Sequence, residues 1–180
     1  MSEEGQSIHE LLGFDPGKVV PDPDFRAPDL IGTVEGWRTW NVSAEPPAYG
    51  LPPKLYSVTH AGYYWVPRQT SRAECNENSD HVPGEQCSCG FYSAKTLEHL
   101  RSMSYHFYDG DTGQINVIGR LANWGKVIEG TQGWRSELAY PVELYIPFEG
   151  WKLAKPLSEG YGVPVKLMNV ELRAAPVMVK

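Results

Sequence analysis

The chain has 180 residues, of which 41% are hydrophobic, 12% aromatic and 21% charged, and its formal net charge is −6. This length and composition are typical of one globular domain with a moderate core. The excess of acidic over basic residues, 22 against 16, argues against a broad basic face for duplex nucleic acid. The chain has no apolar run near the ~20 residues of a membrane span and no visible secretory signal. We therefore expect a cytoplasmic protein that makes no contact with a membrane.

Residues 1–30 are predicted to form an arm that is separate from the rest of the chain. Ser7 and Glu10 match a capping box at the start of a short helix, with apolar residues at positions 8, 11 and 12. Prolines then recur among aspartates up to position 28, which favours extended backbone. The arm is either a frayed acidic tail or a segment that packs on its own domain or on a neighbouring subunit.

Residues 31–180 are predicted to form a single zinc-stabilised, β-rich domain. Alternating apolar and polar residues predict strands at 36–42, 55–59, 63–66, 115–121, 124–128, 134–140, 142–148 and 165–172. The two glycines in residues 129–133 predict a hairpin. Ser93 is expected to cap a helix of about 11 residues, the only helix predicted in this domain. The predicted fold is mainly β with one central helix (α+β), a small bent sheet or barrel carrying a zinc-binding loop.

Four candidate metal ligands lie within 15 residues: Cys75, His81, Cys87 and Cys89. An odd number of cysteines without an export signal is a poor disulfide framework, so it points to metal or thiol chemistry. Three thiolates and one imidazole make a complete tetrahedral ligand set for structural Zn²⁺. The intervening residues are mostly Asn, Ser, Asp, Pro and Gly, which cannot build a core. A zinc ion could replace hydrophobic burial there.

Two other interpretations of the cysteines remain open. One residue separates Cys87 from Cys89, where common zinc fingers have two. The cysteines could be small buried hydrophobic residues, with His81 an ordinary loop residue. Alternatively the thiols are reactive, either as a strained disulfide between Cys87 and Cys89 or as a nucleophile that His81 or His60 activates.

The tripeptide Gly-Trp-Arg occurs twice, at residues 36–38 and 133–135. Each tryptophan is expected to pack in the core, and each arginine to donate to a carboxylate or to free carbonyl oxygens, with Glu137 the natural partner of Arg135. The alternative is an exposed patch that recognises a protein, because Trp and Arg dominate interface hot spots. The four candidates for either role are Trp37, Arg38, Trp134 and Arg135.

The weaker patterns in the chain support no second site. Asp109 begins a segment that matches the opening of a calcium loop, but Arg120 stands where a bidentate Glu is required. His60, His99 and His106 have no second ligand at metal-binding spacing. The tryptophans and tyrosines could stack on single-stranded bases, although no basic groove accompanies them.

The chain resembles a group of small uncharacterised proteins found in actinobacteria and their phages. The residues that carry the resemblance lie between 36 and 148, and its most specific parts are Cys75 to Ala94, with the Cys…His…Cys-x-Cys-Gly pattern, and Gly133 to Pro141. The resemblance implies a common fold, no transferable activity, and a possible origin in a phage.

We therefore expect a non-enzymatic, zinc-stabilised domain that interacts with another protein, as a phage factor acting on a host protein in the host cytoplasm. No catalytic residue is predicted. The alternatives are a thiol-dependent enzyme that uses Cys87 or Cys89 with a nearby histidine, and a protein that binds single-stranded nucleic acid.

Overall fold

The computed structural model of the protein describes residues 32–45, 47, 50–60, 62–75, 82–102, 108–109 and 113–169. The predicted arm, His81, His106 and the turn at 110–112 lie outside these residues, as does the end of the last predicted strand. The described part is mainly β, with two short α-helices and one 3₁₀ helix. None of the described helices has the length and apolar character needed to cross a membrane.

The strands run in chain order as β1 (Val34–Ser43), β2 (Leu55–Ser57), β3 (Tyr64–Trp65), β4 (Ser71–Arg72), β5 (Phe91–Ala94), β6 (Tyr108–Asp109), β7 (Gln114–Glu129), β8 (Gly133–Ile146) and β9 (Val165–Leu167). The helices are α1 (Leu97–Ser102), the 3₁₀ helix (Phe148–Leu153) and α2 (Ala154–Tyr161).

The sheet is built around the long antiparallel hairpin of β7 and β8. Strand β1 pairs with β7 along its whole length, and β5 pairs with both β1 and β8. The edge of β1 that pairs with β5 also pairs with β2, at the end of β1 nearer Ser43. The edge of β8 that pairs with β5 also pairs with β4 and with β9, which is parallel to it. The circuit of β1, β7, β8 and β5 bends the sheet strongly without forming a clean barrel. The predicted fold class, mainly β with helical elements (α+β), is confirmed.

Two strands replace four of the predicted ones. Strand β7 runs through residues 122 and 123 and β8 through Pro141, where the sequence indicates breaks. Gly125 has a φ of +71°, and the register of the β7–β8 pair shifts there and again opposite Pro141. These bulges bend a strand without ending it and also accommodate a proline. The hairpin predicted at residues 129–133 joins the two strands and is confirmed.

The helix predictions need two corrections. Ser93 lies in β5 and is buried, and Thr96 is the cap of α1, because its Oγ1 accepts a hydrogen bond from the His99 amide at 3.2 Å. Helix α2, which contains Pro156, was not predicted from the sequence. Proline is tolerated there because it lies in the first turn, where the backbone amide has no intrahelical partner.

The two faces of the sheet bury two clusters. The larger cluster includes Trp40 and Leu144, and the 3₁₀ helix and α2 pack on it through Leu153 and Leu157. The smaller cluster lies on the other face around Ile118. The cysteines lie beside the larger cluster, where β4 and β5 meet the same edge of β8.

Candidate metal centre

Three cysteines from two separate segments converge next to β8. Cys75 lies three residues after β4, and Cys87 and Cys89 directly precede β5. Strands β4 and β5 pair with neighbouring parts of β8, so their adjoining loops lie close together. The Sγ atoms of Cys75, Cys87 and Cys89 all lie within 4.8 Å of one another. The structure therefore brings together three of the four predicted ligands, and His81 lies outside the described residues.

The guanidinium of Arg135 holds the cysteine loop in place. Its Nη2 donates to the carbonyl oxygen of Gly84 at 2.7 Å, and its Nη1 donates to the carbonyl oxygens of Cys87 and, at 3.4 Å, Cys89. Arg135 is 4% exposed. The planar guanidinium presents several N–H donors in a fixed geometry, so it can bind several carbonyl oxygens that converge on it. These hydrogen bonds are stronger than those between neutral groups because the donor is charged. Glu137, the partner expected from the sequence, forms a salt bridge with Arg72.

Gly90 allows the loop to approach this arginine closely. Its φ is +120°, a conformation that residues with a side chain rarely adopt. A Cβ atom at this position would lie 2.7 Å from Cγ of Arg135 and 3.2 Å from Cβ of Pro83. The hydroxyl of Tyr92 donates to the carbonyl oxygen of Ser88 at 2.8 Å and fixes the loop from its other side.

The surroundings of Cys89 favour the neutral thiol when no cation is present. Burial and then a hydrogen bond with Cys87 raise the pKa of Cys89 from 9.0 to about 11, while the Gly84 amide, 3.4 Å from its Sγ, acts in the opposite direction. A thiol in this state is a poor nucleophile at neutral pH. A bound cation reverses the preference, because a coordinating thiol loses its proton.

The first Gly-Trp-Arg segment places its arginine near the same site. Arg38 is 8% exposed and donates to the carbonyl oxygen of Tyr92 at 2.5 Å and to Oγ of Ser57 at 3.3 Å. Its guanidinium lies over the ring of Trp65, 5.4 Å from the centroid. Arg38 thus joins β1 to β5 and β2, which both pair with the edge of β1 that lies opposite β7.

The two predicted tryptophans are half-buried on the sheet and covered by cations. The guanidinium of Arg120 lies 5.0 Å from the ring centroid of Trp37, and Nζ of Lys95 lies 4.8 Å from that of Trp134. Cations over aromatic faces are stabilising.

A cleft of about 570 Å³ opens beside the cysteines. All three cysteines line it, and its other titratable side chains are Arg38, His60, Tyr63, Arg72, Glu74 and Tyr92. His60 therefore lines the same cleft as the thiols. Among the described residues, the cluster of potential metal-ligating atoms consists of the three cysteines and does not include His60. No local sequence pattern indicated this cleft, because its walls come from β1, β2, β4 and β5.

A group of exposed apolar side chains was not predicted from the sequence. Phe148 is 64% exposed, Trp151 is 52% exposed and Leu167 is 53% exposed. Phe148 and Trp151 are three residues apart in the 3₁₀ helix, so their side chains lie on the same side. The signal that could have revealed this pair is their spacing directly after Pro147, a residue that often begins a helix.

No family model matches the chain, and neither a curated protein nor a solved structure is similar to it.

Proposed function

We propose that the protein binds one Zn²⁺ ion through Cys75, Cys87 and Cys89, that His81 supplies the fourth ligand, and that the ion stabilises a domain that recognises another protein. The observation that carries the metal site is the mutual distance of the three Sγ atoms, at most 4.8 Å. Tetrahedral zinc with Zn–S bonds of about 2.3 Å separates its sulfur ligands by about 3.8 Å. Small side-chain rotations would therefore bring the thiols to zinc-binding distance.

The ion would tie together two segments that have little apolar surface of their own. The chain from 82 to 89 contributes two residues that are buried, Pro83 and Cys87, and its carbonyl oxygens point at Arg135. A metal bond to Cys75 would join this loop to the end of β4. Because the unfolded chain has no preformed site, the free energy of zinc binding would add directly to the stability of the fold.

Zinc content and a cysteine variant test the structural role. We expect about one equivalent of zinc in the purified protein, and a cooperative loss of structure in Cys89→Ser. The matched control is Ser88→Ala, which changes the exposed residue between Cys87 and Cys89 and keeps all the thiols. Zinc below about half an equivalent, or an unchanged fold in Cys89→Ser, would overturn the proposal.

Alkylation separates a metal-bound thiolate from the thiol of an enzyme. Zinc-bound Cys89 should resist iodoacetamide until a chelator removes the ion, whereas a catalytic thiol should react quickly in the untreated protein. The raised pKa of Cys89 argues against a thiol nucleophile at neutral pH. Rapid alkylation of the protein as purified, with no increase after chelation, would favour the enzyme.

The exposed pair Phe148 and Trp151 supports the interaction role. A tryptophan that is 52% exposed is a common anchor in protein interfaces. We expect the full chain to capture a protein from an actinobacterial lysate, and Trp151→Ala to abolish the capture with its zinc content unchanged. Lys152→Ala, at an exposed neighbouring position, is the matched control. Equal capture by wild type and Trp151→Ala would remove this surface from the proposal.

A further inference from the structure

We infer that Cys75 and Cys89 are a redox-sensitive pair, which a peroxide joins in a disulfide, and that this disulfide and the zinc ion exclude each other. The inference rests on the metal centre proposed above and adds a form of regulation to it. The thiolate is the form of cysteine that binds a metal, so a sulfur held in a disulfide no longer serves as a ligand. Oxidation of this pair would therefore remove two of the three cysteine ligands at once.

The sheet brings these two cysteines to one point on the edge of β8. The amide of Ala73 donates to the carbonyl oxygen of Glu137 at 2.8 Å, and Phe91 pairs with the residue directly before Glu137. Cys75 follows Ala73 by two residues, and Cys89 precedes Phe91 by two. Because their Sγ atoms lie within 4.8 Å of each other, rotation of the side chains would bring the sulfurs together.

The surroundings of Cys87 favour Cys75 as the partner of Cys89. The Cys89 side chain is hydrogen-bonded to those of both other cysteines. Cys87, however, is buried, and its thiol donates to the carbonyl oxygen of Gly84 at 3.7 Å. A bond between Cys87 and Cys89 would also close a small ring across one residue, where Arg135 binds the carbonyl groups on both sides. A bond from Cys89 to Cys75 joins two separate segments and can leave these hydrogen bonds in place.

The cleft beside the cysteines gives an oxidant access to the pair. Cys75 and Cys89 are half-buried and line this cleft, whose volume of about 570 Å³ is much larger than a peroxide molecule needs. Cysteines that respond to oxidants are typically accessible to solvent and close to a second cysteine that completes a disulfide. The pair meets both conditions through its position in the fold.

The oxidation balances with hydrogen peroxide as the two-electron oxidant. Cys89 favours its protonated form when no cation is present, so we assign the first attack to Cys75. Its thiolate forms an S–O bond with one oxygen of the peroxide, the O–O bond breaks, and the hydroxide that leaves takes a proton from the solvent. The Cys89 sulfur then attacks the sulfur of this sulfenic acid and displaces a second hydroxide, which takes the Cys89 proton. The two sulfurs lose two electrons in total, and the peroxide becomes two water molecules.

The disulfide would replace the ion as the link between two segments. It would join the chain after β4 to the chain before β5 and close a loop of 15 residues. Such a link stabilises a fold largely by restricting the unfolded chain. We therefore expect the oxidised, zinc-free protein to unfold at a higher urea concentration than the reduced, zinc-free protein.

Peptide mapping of the full-length wild-type protein tests the pair without a substitution. The zinc-loaded protein is treated with a small excess of hydrogen peroxide beside a chromophoric zinc indicator, then denatured, alkylated with iodoacetamide and cleaved after glutamate. Cleavage at Glu85 separates Cys75 from the other two cysteines, and tandem mass spectrometry shows which of those carries the alkyl group. We expect a Cys75–Cys89 disulfide with Cys87 alkylated, one zinc ion released per disulfide, and renewed zinc binding after reduction. Excess zinc should slow the oxidation, because both reactions use the same sulfurs.

Two controls show whether the fold selects this pair. The same treatment in concentrated urea should give a mixture of pairings, and Cys87→Ser, which keeps both members of the pair, should still form the disulfide. A Cys87–Cys89 disulfide in the folded protein, or three alkylated cysteines after peroxide, would overturn the pair. A disulfide that forms while the ion stays bound would overturn the mutual exclusion. A purified protein without zinc would overturn the metal centre, and the mapped disulfide would then decide the thiol pair on its own.

Discussion

Arg135 Nη2 donates to the carbonyl oxygen of Gly84 across 2.7 Å, and this contact joins the centre of the sheet to the cysteine loop. We predict that Arg135→Lys lowers the zinc affinity by about 10- to 100-fold, as loss of a group that supports metal ligands commonly does. A lysine offers a single ammonium in place of a planar fork, so it cannot serve all three carbonyl groups. Competition with a chromophoric chelator measures the affinity.

The matched control for this prediction is Arg120→Lys. Arg120 also lies on a long strand and donates from Nη2 to Glu35 at 2.9 Å, but it covers Trp37 on the opposite face of the sheet. Its substitution should leave the zinc affinity unchanged. If Arg135→Lys binds zinc as tightly as wild type, Arg135 does not organise the metal centre.

Gly90 provides a second test of how the loop is held. In Gly90→Ala the new methyl group would meet Arg135, and the φ of +120° would be strained, so we predict a loss of about 1–3 kcal/mol in the free energy of unfolding and weaker zinc binding. Gly113→Ala is the control, because its φ is +64° and its Cβ would meet no atom within 4 Å. Its cost should be about 1 kcal/mol with zinc binding intact. Equal effects of the two substitutions in urea denaturation would contradict the close approach at Gly90.

The sequence was sufficient to find the cysteine cluster but not the residues that support it. Cys87 and Cys89 are one residue apart and Cys75 is near in the chain, so ligand spacing alone indicated the cluster. Arg135 lies 46 residues beyond Cys89, and only the pairing of β5 with β8 brings it to the loop. The carbonyl oxygens that Arg135 binds are therefore not indicated by its local neighbours, among which Glu137 forms a salt bridge with Arg72.

The presence of the main strands could be predicted from the sequence, but their bounds could not. Alternation of apolar and polar residues revealed β1 and the hairpin, since one face of each strand is buried. Asn123 resembles a break in a strand, yet it is fully buried and its Nδ2 donates to the carbonyl oxygen of Val34 and to Oγ of Ser93, both at 3.0 Å. Long-range partners of this kind satisfy a polar residue inside a strand, and no local pattern reveals them.

The contact between Glu143 and Lys166 predicts a pH dependence. A hydrogen bond from Lys166 and then one from Tyr145 lower the pKa of Glu143 below its ordinary value of 4.5. The carboxylate therefore stabilises the fold above pH 4.5, and this contribution is lost as the pH falls through the lowered pKa. We predict that Glu143→Gln costs no more than about 1 kcal/mol at pH 7 and that wild type and variant converge in strong acid. A difference in denaturation midpoint that persists below pH 3 would contradict this assignment.

The hydroxyl group of Tyr161 connects α2 to the β2–β3 pair. It accepts a hydrogen bond from the Leu55 amide at 2.8 Å and donates one to the carbonyl oxygen of Trp65 at 2.7 Å. Tyr161 is 1% exposed, so Tyr161→Phe leaves two buried backbone groups without this partner. We predict a loss of about 1–3 kcal/mol in the free energy of unfolding, together with faster hydrogen exchange of the Leu55 amide.

Tyr64→Phe is the matched control for this substitution. Tyr64 lies on β3 between Tyr63 and Trp65, is 39% exposed and has Nζ of Lys54 over its ring at 4.2 Å, a contact that phenylalanine retains. Its substitution should change the stability by less than about 0.5 kcal/mol. If the two variants unfold at the same urea concentration, the hydroxyl of Tyr161 does not hold β2 and β3 against α2. If Tyr161→Phe alone lowers the stability, the hydroxyl of Tyr161 supports β2 and β3. Ser57 at the end of β2 and Tyr63 just before β3 line the cleft beside the cysteines, so this hydroxyl would also support a wall of the cleft.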